Sequence, residues 1–430
     1  MRSPEARRIA ILAGGGSLPG EIAASLIERG AHVHILAVAG AGEPIPLPCP
    51  QTTVDFGQVG KILRVLRDDA LTELLVIGAV KRPDLTAIRL DWGAFQAVPA
   101  VLRMIRAGGD DGVLRTVIGF FERRGVRIIG PAEAAPELIL PEGPFGRHAA
   151  SPEQASEIAR GLAIIAALAP FDVGQGVVVD KGRVVAIEGA EGTDRMLARV
   201  AALRGHGAAN SAGVFVKCPK PGQELRIDLP AIGPNTVRGA VAAGLSGIAV
   251  AAGHVLAAER EELRALADSE QIFIEGVPAD LKRRAPDSSR FAFEPLGRRQ
   301  PRRQQEADAV KGAQVLTALE ALDAGAGGVV VHRAHVLAVE IGEGVAATLE
   351  RARGLRQWGR RVARRKTGVA VLARARELDE ALAMAAAEAG VAGLAVMPGE
   401  GSPASEAAIA AANRRGLFVV ALKREQGERG

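Results

Sequence analysis

The sequence predicts an α/β protein in three parts: an N-terminal Rossmann-like domain with a parallel sheet, a second α/β domain, and a degenerate copy of the second. Three observations carry this. Short apolar runs alternate with amphipathic helical runs over residues 7–145, the pattern of parallel strands joined by crossover helices. The stretch Gly176-Val-Val-Val-Asp-Lys-Gly-Arg-Val-Val-Ala-Ile-Glu188 recurs as Gly328-Val-Val-Val-His-Arg-Ala-His-Val-Leu-Ala-Val-Glu340. At 430 residues the chain can hold roughly two to four domains, each with its own core.

The elements follow in order. Arg8–Ala13 reads as a buried strand, Gly14–Gly20 as a turn and Glu21–Arg29 as an amphipathic helix. Ala31–Val38 is the next strand, Gln58–Asp68 a helix, and Leu74–Ala79 and Val126–Gly130 two further strands. Residues 1–145 thus form the first domain. Ser151-Pro-Glu-Gln154 is a capping signal that opens the second, over 151–277. The Pro- and Arg-rich stretch 278–303 reads as a linker, and 304–430 as the repeat.

The repeat is informative for what it drops. Its register runs without gaps from Gly176 to Arg204 against Gly328 to Arg356, so Glu191 meets Glu343, while Thr193-Asp194 becomes Val345-Ala346. Lys217 meets Leu372, and Pro219 to Pro230 has no counterpart. Apolar positions survive while Thr193, Asp194, Lys217, Arg226 and Asp228 are lost, which separates scaffold from chemistry inside one chain.

Composition bounds the class. Hydrophobic residues at 48% and charged residues at 24% suit a soluble globular protein. Two cysteines make no disulfide framework and suit a reducing compartment. The N-terminus carries no apolar signal stretch, and no run approaches the roughly 20 residues that span a bilayer, so a cytoplasmic protein is expected. The net charge is +5, with basic runs at 282–284, 298–303 and 360–366. These are either solvated faces or an adhesion surface for anionic lipid of the inner membrane, where each basic residue adds about 1 kcal/mol. Nucleic acid is disfavoured, because no aromatic residues interleave with the arginines.

Several constellations could carry chemistry. Gly14-Gly15-Gly16-Ser17 stands between a strand and a helix, where backbone N–H groups cradle an anion; a tight turn without ligand is the alternative. It is neither GxGxxG nor a Walker loop, and no acidic residue ends the second strand to hold a ribose. Lys81 follows the strand ending at Ala79, at the carboxyl edge of the sheet. Asp110-Asp111 precedes a helix, either as its cap or as a holder of Mg²⁺ beside a phosphate. Arg226 and Asp228 would share one face if their segment is extended, a cation for phosphate beside a carboxylate for metal or water. The histidines show no HxxH spacing, and no Gly-x-Ser-x-Gly elbow exists; Ser211 and Cys218 are nucleophile candidates only by isolation.

Four separated motifs then resemble the LpxI family, the UDP-2,3-diacylglucosamine pyrophosphatases of lipid A biosynthesis. They are Ile11-Leu-Ala-Gly-Gly-Gly-Ser-Leu-Pro19, Gly109-Asp-Asp111, Ile187-Glu-Gly-Ala-Glu-Gly-Thr-Asp194 and Lys220-Pro-Gly-Gln-Glu-Leu-Arg-Ile-Asp-Leu-Pro-Ala-Ile-Gly-Pro234. The resemblance covers about residues 7–277. It implies a hydrolase with substrate bound between two domains, releasing UMP and 2,3-diacylglucosamine 1-phosphate with a divalent cation, typically Mg²⁺. The family's essential aspartate corresponds to Asp228, with Arg226 beside it. Gly14, Gly15, Gly16, Ser17 and Lys81 would bind the nucleotide end or its phosphates. Glu191, Thr193, Asp194, Lys217 and Gln223 would bind substrate from the second domain, and Asp110, Asp111 and Asp228 would place the metal. The departure is the third domain. A non-catalytic nucleotide-sugar sensor is the alternative, with the third domain as an interaction module.

Overall fold

Strand β1 (Arg8–Ala13) is central because Ile9, Ala10 and Ile11 are fully buried, so both of its faces must be covered. It pairs in parallel with β2 (His32–Val38) on one side and β4 (Glu73–Ile77) on the other. With β3 (Gln51–Val54) and β5 (Arg127–Ile129) the order is β3-β2-β1-β4-β5, parallel throughout. Helix α1 (Leu18–Glu28) packs Ile22 and Leu26 on one face, and α2 (Val59–Asp68) and α3 (Asp110–Glu122) pack Ile62, Leu66 and Phe121 on the other. That is the doubly wound arrangement expected. Folds wound this way take ligands in the crevice beyond the carboxyl ends of the strands where the winding reverses, here β1 and β4. This computed structural model describes residues 6–42, 44–55, 57–79, 110–205, 212–282, 289–355, 366–374, 378–397 and 404–425.

The second sheet contains β6 (Gly143–Pro144), β7 (Gly176–Asp180), β8 (Arg183–Ile187), β9 (Val214–Lys217), β11 (Gly247–Ala251) and β13 (Phe273–Val277), in the order β6-β13-β11-β9-β7-β8. A two-stranded pair, β10 (Ala231–Ile232) with β12 (Leu256–Ala257), stands beside it. The third sheet contains β14 (Phe291–Pro295), β15 (Gly328–His332), β16 (His335–Glu340), β17 (Val369–Leu372), β18 (Gly393–Val396) and β19 (Phe418–Arg424). Its order, β14-β19-β18-β17-β15-β16, repeats the second strand for strand.

The duplication extends to detail. Both hairpins carry a register shift at the same place, Val178/Val179 and Val330/Val331. A Cβ on Gly247 would lie 2.1 Å from the Phe273 ring, and one on Gly393 would lie 2.3 Å from the Phe418 ring, so each glycine makes room for the same aromatic.

Two expected boundaries shift. Residues 143–145 belong to the second domain, because β6 pairs with β13 and Phe145 enters its core. The stretch 278–303 is not linker throughout, since β14 pairs along β19 from Phe291↔Arg424 to Pro295↔Val420. A strand of alternating Phe291 and Phe293 was hidden by its Pro- and Arg-rich flanks.

Helix α5 (Pro152–Leu168) opens on the expected capping box: Ser151 Oγ accepts from Gln154 N at 3.3 Å and Ser151 N donates to Gln154 Oε1 at 2.7 Å. It packs against its counterpart α9 (Arg303–Glu320), between the two sheets. One core therefore runs through both domains, joining Ile165, Val177 and Val216 to Ala313, Val331 and Val371.

Candidate active site

The segment 217–230, of which the repeat lacks Pro219 to Pro230, lies between the first and second domains. Ile227 and Leu229 pack against the two cores of the first domain. Arg115 of α3 donates to the Gly222 carbonyl at 3.1 Å, and Glu122 at the other end of α3 accepts from Arg226 at 3.0 Å. At its far end Leu256 N donates to the Pro230 carbonyl at 2.9 Å. The chain here serves two domains at once.

Its internal geometry corrects one expectation. Residues 225–227 form a turn rather than an extended run, because Ile227 N and Asp228 N both donate to the Glu224 carbonyl, at 3.3 and 3.1 Å. Arg226 and Asp228 therefore do not share a strand face. Arg226 turns to Glu224, Nε–Oε1 2.8 Å, and to Glu122, and its side chain is 42% exposed. The Arg226 bond holds the Glu224 carboxyl below the usual carboxylate range, against the opposing effect of burial. Arg226 is accordingly a clasp between domains more than a free phosphate grip.

Asp228 is half-buried and braced by Gln223, whose Nε2 donates to the Asp228 carbonyl at 2.7 Å and to its carboxylate. Gln223 Oε1 accepts from Lys220 N at 2.9 Å. Gln223 thus spans the segment and orients Asp228, rather than reaching out to substrate as expected. Lys220, which sequence reasoning missed, pairs with Asp172 at the end of the second domain's first helical stretch. Only the fold brings those two together.

Lys217 ends β9 and is 6% exposed, with its Nζ 2.6 Å from Thr193 Oγ1. Among the described residues no carboxylate lies within ion-pair distance of it. Thr193 opens helix α6 (Thr193–Arg204) after Gly192, with Asp194 in the first turn. A buried ammonium at the end of a strand, beside the N-terminus of a twelve-residue helix, favours an anion. In the repeat Leu372 and Val345 take these two places together.

Glu191 is placed elsewhere than expected. Its side chain is 2% exposed and accepts from Arg199 and from Arg351 of the third domain, both at 2.9 Å, so it is consumed by the interface.

In the first domain the glycines serve packing. Gly14 N and Gly15 N donate to the carbonyls of Ile77 and Ala79 at 2.8 and 2.7 Å, and a Cβ on Gly15 would lie 2.1 Å from the Ala41 carbonyl oxygen. These two N–H groups close the turn after β1 onto the turn after β4 and do not cradle an anion. Gly16, at φ +96°, and Ser17 lead into α1 at the crevice, and the Ser17 side chain makes no cap hydrogen bond. Asp110 and Asp111 form the first turn of α3, earlier than the expected start near Val113; their side chains and all of Lys81 lie outside the described residues, as does Ser211. Cys218 is buried, which pushes its thiol up to about 12 and removes it as a nucleophile.

Among the described residues no group of three or more His, Cys, Asp or Glu is placed to hold a metal ion, and no helix is long and apolar enough to cross a membrane.

Comparison with known proteins agrees with this division. The family model described as the LpxI N-terminal domain matches residues 8–138, and that described as the LpxI C-terminal domain matches twice, at 141–275 and 294–420. The chain is 38% identical over 275 residues to the UDP-2,3-diacylglucosamine pyrophosphatase LpxI of Caulobacter vibrioides (strain ATCC 19089 / CIP 103742 / CB 15), covering 63% of this chain and 98% of that relative.

Proposed function

The chain belongs to the LpxI family, and from that premise we propose that it is a hydrolase cleaving the pyrophosphate of UDP-2,3-diacylglucosamine to UMP and 2,3-diacylglucosamine 1-phosphate. The observation that carries the reading is the 217–230 segment, held between two domains and bearing the one carboxylate, Asp228, that Gln223 orients. The sister domain, which keeps the fold, has neither segment nor carboxylate.

The residues have separable tasks. Lys217 and Thr193, at the helix start, bind a phosphate of the pyrophosphate; the buried ammonium gains there the counter-charge it lacks among the described residues. Asp228 positions the water and takes its proton as the water oxygen bonds to one phosphorus, while the bridging phosphorus–oxygen bond breaks and the other phosphate leaves with the bridging oxygen. Gln223 keeps Asp228 in place, and the Arg226 clasp to Glu122 keeps the two domains closed on the segment, excluding bulk water. Gly16 and Ser17 face the crevice where the nucleotide end would sit, with Lys81 following β4.

A divalent cation would be held by Asp228, with Asp110 and Asp111 as the further carboxylates the sequence offers. Mg²⁺ takes one or two carboxylates and completes its shell with water and substrate phosphate, so Asp228 with Asp110 or Asp111 would suffice without a three-carboxylate cage. When bound, it would neutralise the phosphoryl oxygens and acidify a bound water.

The substrate is lipid-linked, and a cytoplasmic enzyme meets such a molecule at the inner membrane. A cationic cavity of about 750 Å³ in the third domain supports peripheral contact: Arg299, Arg302, Lys366 and Arg415 line it, and among the described residues no carboxylate does. Co-sedimentation with anionic vesicles should fall on Arg299→Glu with Arg415→Glu, while binding unchanged by both would remove this contact.

The deciding experiment is UMP release from UDP-2,3-diacylglucosamine by the purified chain, with Mg²⁺ and then with EDTA. Metal-dependent release supports the hydrolase. Substrate binding without release would instead favour the sensor.

A further inference from the structure

The second and third domains face each other through pairs that are counterparts in the duplication. Glu191 and Arg199 correspond to Glu343 and Arg351. Each glutamate meets both arginines: Glu191 Oε1 is 2.9 Å from Arg199 Nη2 and 2.9 Å from Arg351 Nη1, while Glu343 binds Arg351 and lies 3.8 Å from Arg199 Nε. All four side chains are at most 14% exposed. Such an exchange of partners between counterparts is the signature of a twofold, isologous contact.

A second set of counterparts repeats the pattern. Gly161 and Gly312 each approach the equivalent valine, Val216 and Val371, which aligns Arg160 with Lys311. Asp172 and Asp323 are likewise matched, both left-handed at φ 58° and 50°. Arg160 Nη2 donates to the carbonyls of Leu322 and Asp323 at 3.0 and 2.9 Å. Lys311, the counterpart of Arg160, donates instead to the Ala334 carbonyl of its own domain, with the charge of Asp172 across the contact among those that act on it. Helices α5 and α9, also counterparts, pack on each other between these sites.

We infer that the third domain occupies the place of a second copy of the catalytic second domain, so that one chain reproduces a twofold dimer with a single active site. The occupant is set by charge. A second copy would bring Glu191, Arg199, Arg160 and Asp172 to the positions of Glu343, Arg351, Lys311 and Asp323, the same sign at every position. The extent of the relative agrees, because its alignment spans 275 residues and 98% of its length, room for two of the three domains.

The test is molar mass in solution by light scattering. The full chain should have the mass of one chain, 44.6 kDa. A chain stopped after Val277, the end of β13, should have the mass of two copies, and Arg199→Glu in it should return it to one by massing carboxylates at the axis. A two-chain full-length protein, or a shortened chain that is monomeric at every concentration, overturns the inference. Should the shortened chain precipitate, the decision passes to the full chain with Arg351→Glu. A concentration-dependent two-chain species then supports it, and a single-chain mass with an unchanged melting temperature overturns it.

Discussion

The Lys217 ammonium sits 2.6 Å from the Thr193 hydroxyl, and the third domain has replaced both at once, with Leu372 and Val345. Two residues 24 apart that disappear together act as one unit. The third sheet keeps its strand order and buried core without them, so the fold does not require the pair, which supports the binding role proposed for it.

The double variant Lys217→Leu with Thr193→Val should therefore fold and melt near wild type while kcat/KM falls about 10- to 100-fold, the worth of a charged hydrogen bond of about 1.5–3 kcal/mol. Steady-state UMP release beside circular dichroism reads both. A fall in stability with kcat/KM intact would reverse the assignment.

Asp228→Ala should lower kcat by about 10² to 10⁴, the usual contribution of a positioned proton acceptor, with the fold preserved. Gln223→Ala should lose less, and its loss should appear in kcat rather than KM, because the Gln223 amide is spent on Asp228 and on Lys220 N. Near-normal turnover of Asp228→Ala would end its role.

The clasp of Arg226 on Glu224 makes docking of the segment acid-sensitive. The Glu224 carboxyl is depressed in the fold, so its contribution is present above its unfolded value of about 4.3 and fades as pH falls through the lower folded value. Hydrogen exchange at residues 224–228 should be flat above about pH 5 and rise in more acidic solution, at fixed intrinsic rate. In Glu224→Gln that acid rise should vanish. A persistent rise would place the titrating group elsewhere.

Arg351→Ala removes one arginine from a glutamate that is 2% exposed and should cost about 3–5 kcal/mol, the range for breaking a buried pair. Arg353→Ala, two residues along, breaks a pair 56% and 69% exposed and should change stability by less than about 1 kcal/mol. Urea unfolding of both variants measures the contrast, and equal effects would remove the buried cluster as a determinant of domain packing.

Much of the architecture was legible because periodicity and repetition are local. The buried runs of β1, β2 and β4, the Ser151 capping box and the doubled Gly-Val-Val-Val hairpin all announce themselves within a few residues. The short polar strand Gln51–Val54 did not, since it is an edge strand with two exposed side chains and reads as loop. Gly14 and Gly15 looked like an anion cradle, but their need for glycine comes from the Ala41 and Ala79 backbones, which are remote in sequence.

By itself the sequence determined the α/β class, the duplication, and which polar residues one copy keeps and the other loses, because all three are properties of order along the chain. Tertiary structure alone decided what those residues do. Whether Arg226 faces Asp228 or Glu224 depended on a single turn closed by the Glu224 carbonyl. Whether Glu191 meets substrate or Arg351 depended on where a domain 160 residues away comes to rest. A charge takes its role from the partner that relieves its burial, and that partner is chosen by folding.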